Sequence, residues 1–113
     1  MNEQIQVWQG LSGANYKFQI YPIDVKFSPN QDGNYIFARQ SSIGWEAVYI
    51  GQGDIKARTE NHLADLCVVN KGATHIHAHP NGLETDRRKE EIDLLFKHTE
   101  AYEPQGCNVK AGG

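Results

Sequence analysis

This chain contains no run of about 18 apolar residues, the length a helix needs to cross a bilayer, so no membrane span is expected. Its opening, MNEQIQVWQG, has neither the basic start nor the apolar core of a secretory signal, and the expected compartment is the cytoplasm. Cysteine is scarce. Cys67 and Cys107 match no metal-binding or redox spacing, and in a chain without an export signal they are expected to be reduced thiols. Excess positive charge is lacking too: a net charge of −3 argues against a protein that coats nucleic acid by charge alone. Internal repeats, low-complexity tracts and linkers rich in Pro, Gly or Ser are missing, which leaves no natural point of division.

What remains has the composition of one folded domain: 113 residues, 39% hydrophobic and 22% charged, enough for a core of two or three layers. Charge is unevenly spread. Residues 55–89 hold six bases against four acids while both flanks are net acidic, so a local basic face can sit beside an acidic body.

Tyr16 to Ile20 alternates apolar and polar side chains, the period of a half-buried strand. Pro29-Asn30-Gln31-Asp32-Gly33 is dense in turn formers. Tyr35 to Ala38 and Trp45 to Ile50 are predicted to pair as an antiparallel hairpin. Asp54 is a suitable N-cap for a helix from Ile55 to about Leu66, with Ile55, Leu63 and Leu66 as its apolar face and Asn70-Lys71-Gly72 as its break. Thr74 to His79 reads as a short strand. Thr85 or Asp86 is expected to cap a second helix, Asp86 to His98, whose apolar face would be Ile92, Leu95, Phe96 and Thr99. The expected fold is a small single-domain α+β sandwich, with a mainly antiparallel sheet of three to four strands flanked by helices.

The stretch VYIGQGDIKARTENH, Val48 to His62, carries the functional signal. A strand delivers Tyr49, glycines turn the chain, and the helix that follows presents Arg58 and His62 one turn apart. An earlier strand carries Gly33-Asn34-Tyr35, the second helix carries Glu91 three residues before Leu94-Leu95, and PQGCN ends on Asn108. In this order the set resembles the GIY-YIG nuclease domain, with GNYIF as the first motif and VYIGQ as the second. Asn34 stands where that family has an apolar residue. The resemblance spans residues 33–108, with residues 1–32 left as an N-terminal extension able to add an edge strand.

The resemblance implies a divalent-metal-dependent endonuclease acting on nucleic acid, DNA before RNA, with Mg²⁺ (or Mn²⁺) as cofactor. Glu91 would be the metal ligand, since Mg²⁺ keeps much of its hydration and takes few protein ligands. Arg58 offers a planar fork for a phosphate and would favour a phenolate nearby. Tyr35 would be the general base, Tyr49 would flank the attacking water, and His62 would accept the proton. Lys56, Arg87 and Asn108 would contact the substrate. Tyr35, Tyr49, Arg58, His62 and Glu91 are therefore expected on one concave face, with Glu90, about 100° around the helix, as the neutral control position.

Two other readings follow from the same residues. A module that kept the fold without catalysis would bind nucleic acid or a protein partner, with a dimer as one source of affinity. Alternatively His75, His77 and His79, on one face of a strand, could hold Zn²⁺. Without a fourth ligand at close spacing, they are expected to face solvent or phosphate instead.

Overall fold

The computed structural model describes residues 4–109. Five strands form one sheet: β1 (Ile5–Gln9), β2 (Asn15–Pro22), β3 (Asp32–Ser41), β4 (Gly44–Asp54) and β5 (His75–Pro80). The order across the sheet is β1-β2-β5-β3-β4, and every neighbouring pair is antiparallel. The helices are α1 (Ile55–Asp65), the short α2 (Cys67–Asn70) and α3 (Glu84–Lys97), followed by a 3-10 turn at Thr99–Ala101. The α+β class and the β3–β4 hairpin are as expected. The strand count is not: residues 1–32 supply both the edge strand β1 and the interior strand β2, which lies against β5.

Alternation along β3 divides the core in two. Ile36 and Ala38 join Trp8, Phe18, Ile50 and Leu94 of α3. Tyr35 and Phe37 join Val48, Ile76, Ile55 of α1 and Val68 of α2. The sheet is thus sandwiched, with α3 on one face and α1–α2 on the other. The pairing shifts between Phe37 and Ala38, so that Val48 is the extra residue of a bulge in β4.

Asp54 caps α1 as expected, accepting a hydrogen bond from the Ala57 N–H at 3.2 Å. The helix ends at Asp65, as expected within a residue, because Leu66 adopts a left-handed conformation (φ 69°) and starts the short α2. Neither Thr85 nor Asp86 caps α3, which begins at Glu84. Its buried face is also different from the expected one. Arg87, Glu90 and Leu94 face the sheet, while Ile92 and Phe96 remain 53% and 64% exposed. The reason is polar pairing. Arg87 donates to Gln52 Oε1 and to the Asn81 carbonyl, both at 3.0 Å, and its own carbonyl accepts from Asn34 Nδ2 at 3.0 Å. Glu90 lies 2.6 Å from His79 Nε2. These partners come from β3, β4 and β5, and they rotate the helix so that buried polar groups are satisfied.

Cys67 and Cys107 are joined in a disulfide, which corrects the expectation of reduced thiols. The bridge ties α2 to the loop after α3, and that loop covers the outer edge of β4. The Cys107 N–H donates to the Val48 carbonyl at 2.8 Å, and the Asn108 amide pairs with both the N–H and the C=O of Ile50 at 2.9 and 3.0 Å. No helix among the described residues is long and apolar enough to cross a membrane.

Candidate active site

The hairpin β3–β4 sets the first two groups of the site. Its register places Tyr35 opposite Gly51 and Phe37 opposite Tyr49. The Tyr35 ring lies directly over Gly51, where a Cβ would come within 2.5 Å of the phenol oxygen, so only glycine admits this ring position. The Tyr35 and Tyr49 rings are nearly parallel, 6.2 Å apart at an interplanar angle of 20°. From α1, His62 packs on both, with ring centroids 4.0 Å from Tyr49 and 6.1 Å from Tyr35. Arg58, one turn earlier on the same side of α1, lies across Gly53. A Cβ on Gly53 would meet Arg58 Nε at 3.0 Å, and the φ of +131° there favours glycine independently.

Glu91 comes from α3, on the far side of the sheet from α1. α3 packs against the edge strand β4. Arg87, one turn before Glu91, is bonded to Gln52, and Leu94, three residues after it, packs with Ile50. The charge of Glu91 raises the pKa of both Tyr35 and Tyr49, and the charge of Arg58 lowers both. The five residues expected on one concave face therefore come from both faces of the sheet: Tyr35, Tyr49, Arg58 and His62 from the hairpin and α1, and Glu91 from α3.

Burial dominates the protonation of this group. It is the main reason that Tyr35, 1% exposed, has its pKa raised far above the ordinary phenol value, with Tyr49 and Glu91 adding to the rise. Arg58 does not overcome this, so the phenolate expected of Tyr35 is disfavoured and its hydroxyl stays protonated near neutral pH. Burial likewise lowers the pKa of His62, assisted by Arg58 and opposed by Asp65, which keeps the imidazole neutral and able to accept a proton. Glu91 is raised first by burial, while Arg88 and Arg58 pull it down. Among the described residues neither the Arg58 nor the Glu91 side chain makes a hydrogen bond or an ion pair.

The residues expected to contact substrate divide differently. Lys56 is on the surface, paired with Glu60 at 2.8 Å. Arg87 and Asn108 are buried and spend their polar atoms inside the fold, so neither presents a free group to a ligand. Arg88, which the sequence reading passed over, is exposed and faces Glu91 electrostatically, besides an ion pair with Glu84 at 3.3 Å. The signal for it was the basic run Arg87-Arg88-Lys89. Asn34, the departure from the resembled motif, was the visible trace of the buried Arg87 network.

The three histidines of β5 do share a face, but it is the face under α3. His77 is fully buried, accepts a hydrogen bond from Trp8 Nε1 at 3.0 Å, and is lowered by burial and by His75 to a pKa of about 4. His75 packs on Trp45, and His79 bonds to Glu90. Among the described residues no group of three His, Cys, Asp or Glu side chains is arranged to hold a metal ion.

No family model matches this chain, and neither the curated proteins nor the solved structures include a match to it.

Proposed function

We propose that this protein is a divalent-metal-dependent endonuclease of the GIY-YIG type, hydrolysing phosphodiester bonds in nucleic acid, with DNA as the first substrate to test. The observation that carries the reading is the cluster of the Tyr35, Tyr49 and His62 rings beside Arg58, with the charge of Glu91 from α3 acting on both tyrosines. A phosphodiester needs an oriented water, a cationic partner for the phosphoryl oxygens and a sink for one proton. Arg58, free of protein partners, supplies the phosphate fork. Tyr49, partly exposed, orients the water. Neutral His62, in ring contact with Tyr49, accepts the proton. Tyr35 acts through its protonated hydroxyl, as a donor held in place by Gly51 rather than as the base.

A single carboxylate suits Mg²⁺ or Mn²⁺, since such an ion keeps most of its water and takes few protein ligands. Glu91 would hold it, and the ion would supply charge stabilisation at the phosphoryl oxygens. The rival reading, a catalytically silent binding module for nucleic acid or a protein partner, draws on the withdrawal of Arg87 and Asn108 and on the net charge of −3.

Single-stranded, duplex and branched DNA incubated with Mg²⁺, Mn²⁺ or chelator separate the two. Metal-dependent nicking that Tyr35→Phe and Arg58→Ala weaken supports the nuclease. Binding without cleavage on every substrate makes it a binding module.

A further inference from the structure

The two edges of the sheet are treated in opposite ways. Along β4 the loop after α3 closes the backbone: Cys107 takes the Val48 carbonyl, and the Asn108 amide takes both polar groups of Ile50. Among the described residues, most of the β1 edge stays open. The Ile20 N–H donates to the Gln4 carbonyl at 2.9 Å, so by antiparallel alternation Gln4, Gln6 and Trp8 bond towards β2. The N–H and C=O groups of Ile5, Val7 and Gln9 consequently point away from the sheet. His98 closes the Gln9 carbonyl at 2.8 Å. The open part is the Ile5–Val7 half, where the side chains of Ile5 and Val7 are 50% and 45% exposed.

Edges of this kind are normally blunted by lysine, proline, a bulge or a covering segment. The segment Gln4 to Gln9, QIQVWQ, has no charge and no proline, and its pairing with β2 runs without a register shift.

We propose that β1 is a self-association edge, pairing antiparallel with β1 of a second copy of this chain across a two-fold axis. The axis passes through Gln6. Ile5 then lies opposite Val7 of the other copy, and Val7 opposite Ile5, so each outward N–H and C=O of both residues gains one partner in the two symmetry-related pairs. This register leaves the His98-closed carbonyl of Gln9 outside the new ladder. It also sets apolar side chains against each other on one face, the kind of cross-strand pair that stabilises sheets. A closed two-fold contact uses the same short strand from each copy, so the limited open length is sufficient. A neutral strand can meet its own copy without the like-charge repulsion that a lysine-marked edge would impose. The weak point in the local chain is small: the Gln6 side chain, which donates to the Val7 carbonyl at 3.1 Å, must yield to the partner's N–H. The product is a continuous ten-stranded sheet with the two candidate active sites at its outer ends, beside the covered β4 edges.

The contact is short, which places it among weak associations of small area. Sedimentation velocity of the full chain from about 1 µM to about 1 mM, the span for contacts of that size, should show a monomer passing to a dimer. Amide exchange should slow at Ile5 and Val7 only at the high end of that range. Val7→Glu should abolish the dimer by placing a charge opposite Ile5 of the partner, while opposite Lys17 of β2 in its own chain it is well received. Val7→Pro removes only an outward N–H and should do the same, as proline is tolerated at that side of an edge strand. Ile43→Glu, on the exposed turn between β3 and β4, should leave association unchanged. A monomer at every concentration, a dimer that survives both Val7 variants with their folds intact, or exchange protection at another surface would overturn the proposal. Capture of an unrelated extended peptide by a chain that never self-associates would do so as well.

Discussion

Glu90 and Glu91 are adjacent in sequence and opposite in role, and a pair of substitutions separates them. Glu90 is 5% exposed with His79 Nε2 at 2.6 Å, and it joins α3 to β5. Glu90→Gln keeps the volume but turns a charge-assisted bond into a neutral one inside the core. Hydrogen bonds to charged groups contribute about 1.5–3 kcal/mol, so a loss of about 2 kcal/mol is expected. For a domain of this size that lowers Tm by about 8 °C. Glu91 behaves in the reverse way. Burial raises its pKa, so the ionised form weakens the fold as the pH rises past that value. Glu91→Gln removes that cost and should leave Tm unchanged or slightly higher at pH 7. Cleavage should respond oppositely, falling on the order of a hundredfold or more in Glu91→Gln through loss of metal-borne charge stabilisation. Glu90→Gln should retain most of its activity below its own melting range. Calorimetry and a nicking assay on both variants test the assignment, and calorimetry alone tests the structural half. An unstable Glu91→Gln beside a stable Glu90→Gln would refute the orientation of α3. Inactivity of Glu90→Gln at full stability would refute the site.

Reduction of the Cys67–Cys107 bridge, or Cys107→Ser, releases a link spanning 40 residues, worth about 4 kcal/mol in the chain-entropy view, so Tm should fall by about 15 °C. Acid should also weaken the fold. His77 has its folded pKa lowered from 6.5 to about 4, so its contribution is complete above about pH 6.5 and is lost towards pH 4, a span worth about 3 kcal/mol. His77→Phe should flatten that part of the stability–pH curve, and an unchanged curve would show that His77 is not the buried group. Asn108→Ala strands two polar groups of Ile50 and should cost about 2–3 kcal/mol by urea unfolding, with no effect beyond this if Asn108 has no substrate role.

Local order in this protein is written locally. Asp54 caps α1 because its carboxylate reaches the free N–H of a residue three positions on. The alternation at Tyr16 to Ile20 marks a strand, and the β3–β4 hairpin follows from two β-rich runs around Ser42-Ile43-Gly44. The order of Tyr35, Tyr49, Arg58, His62 and Glu91 on their elements was legible for the same reason. Tertiary structure alone decided which residues meet. The apolar spacing of Ile92, Leu95 and Phe96 pointed to one face of α3, yet only Leu95 of the three packs on the core, and Arg87 and Glu90 are buried because their partners arrive from β3, β4 and β5. Periodicity counts apolar residues along one helix and carries no information about polar groups waiting on another element. For the same reason the pairing of Cys67 with Cys107, the interior place of β2 and the protonation of Tyr35 could not be read ahead. Each depends on neighbours far along the chain, and on how completely those neighbours exclude water.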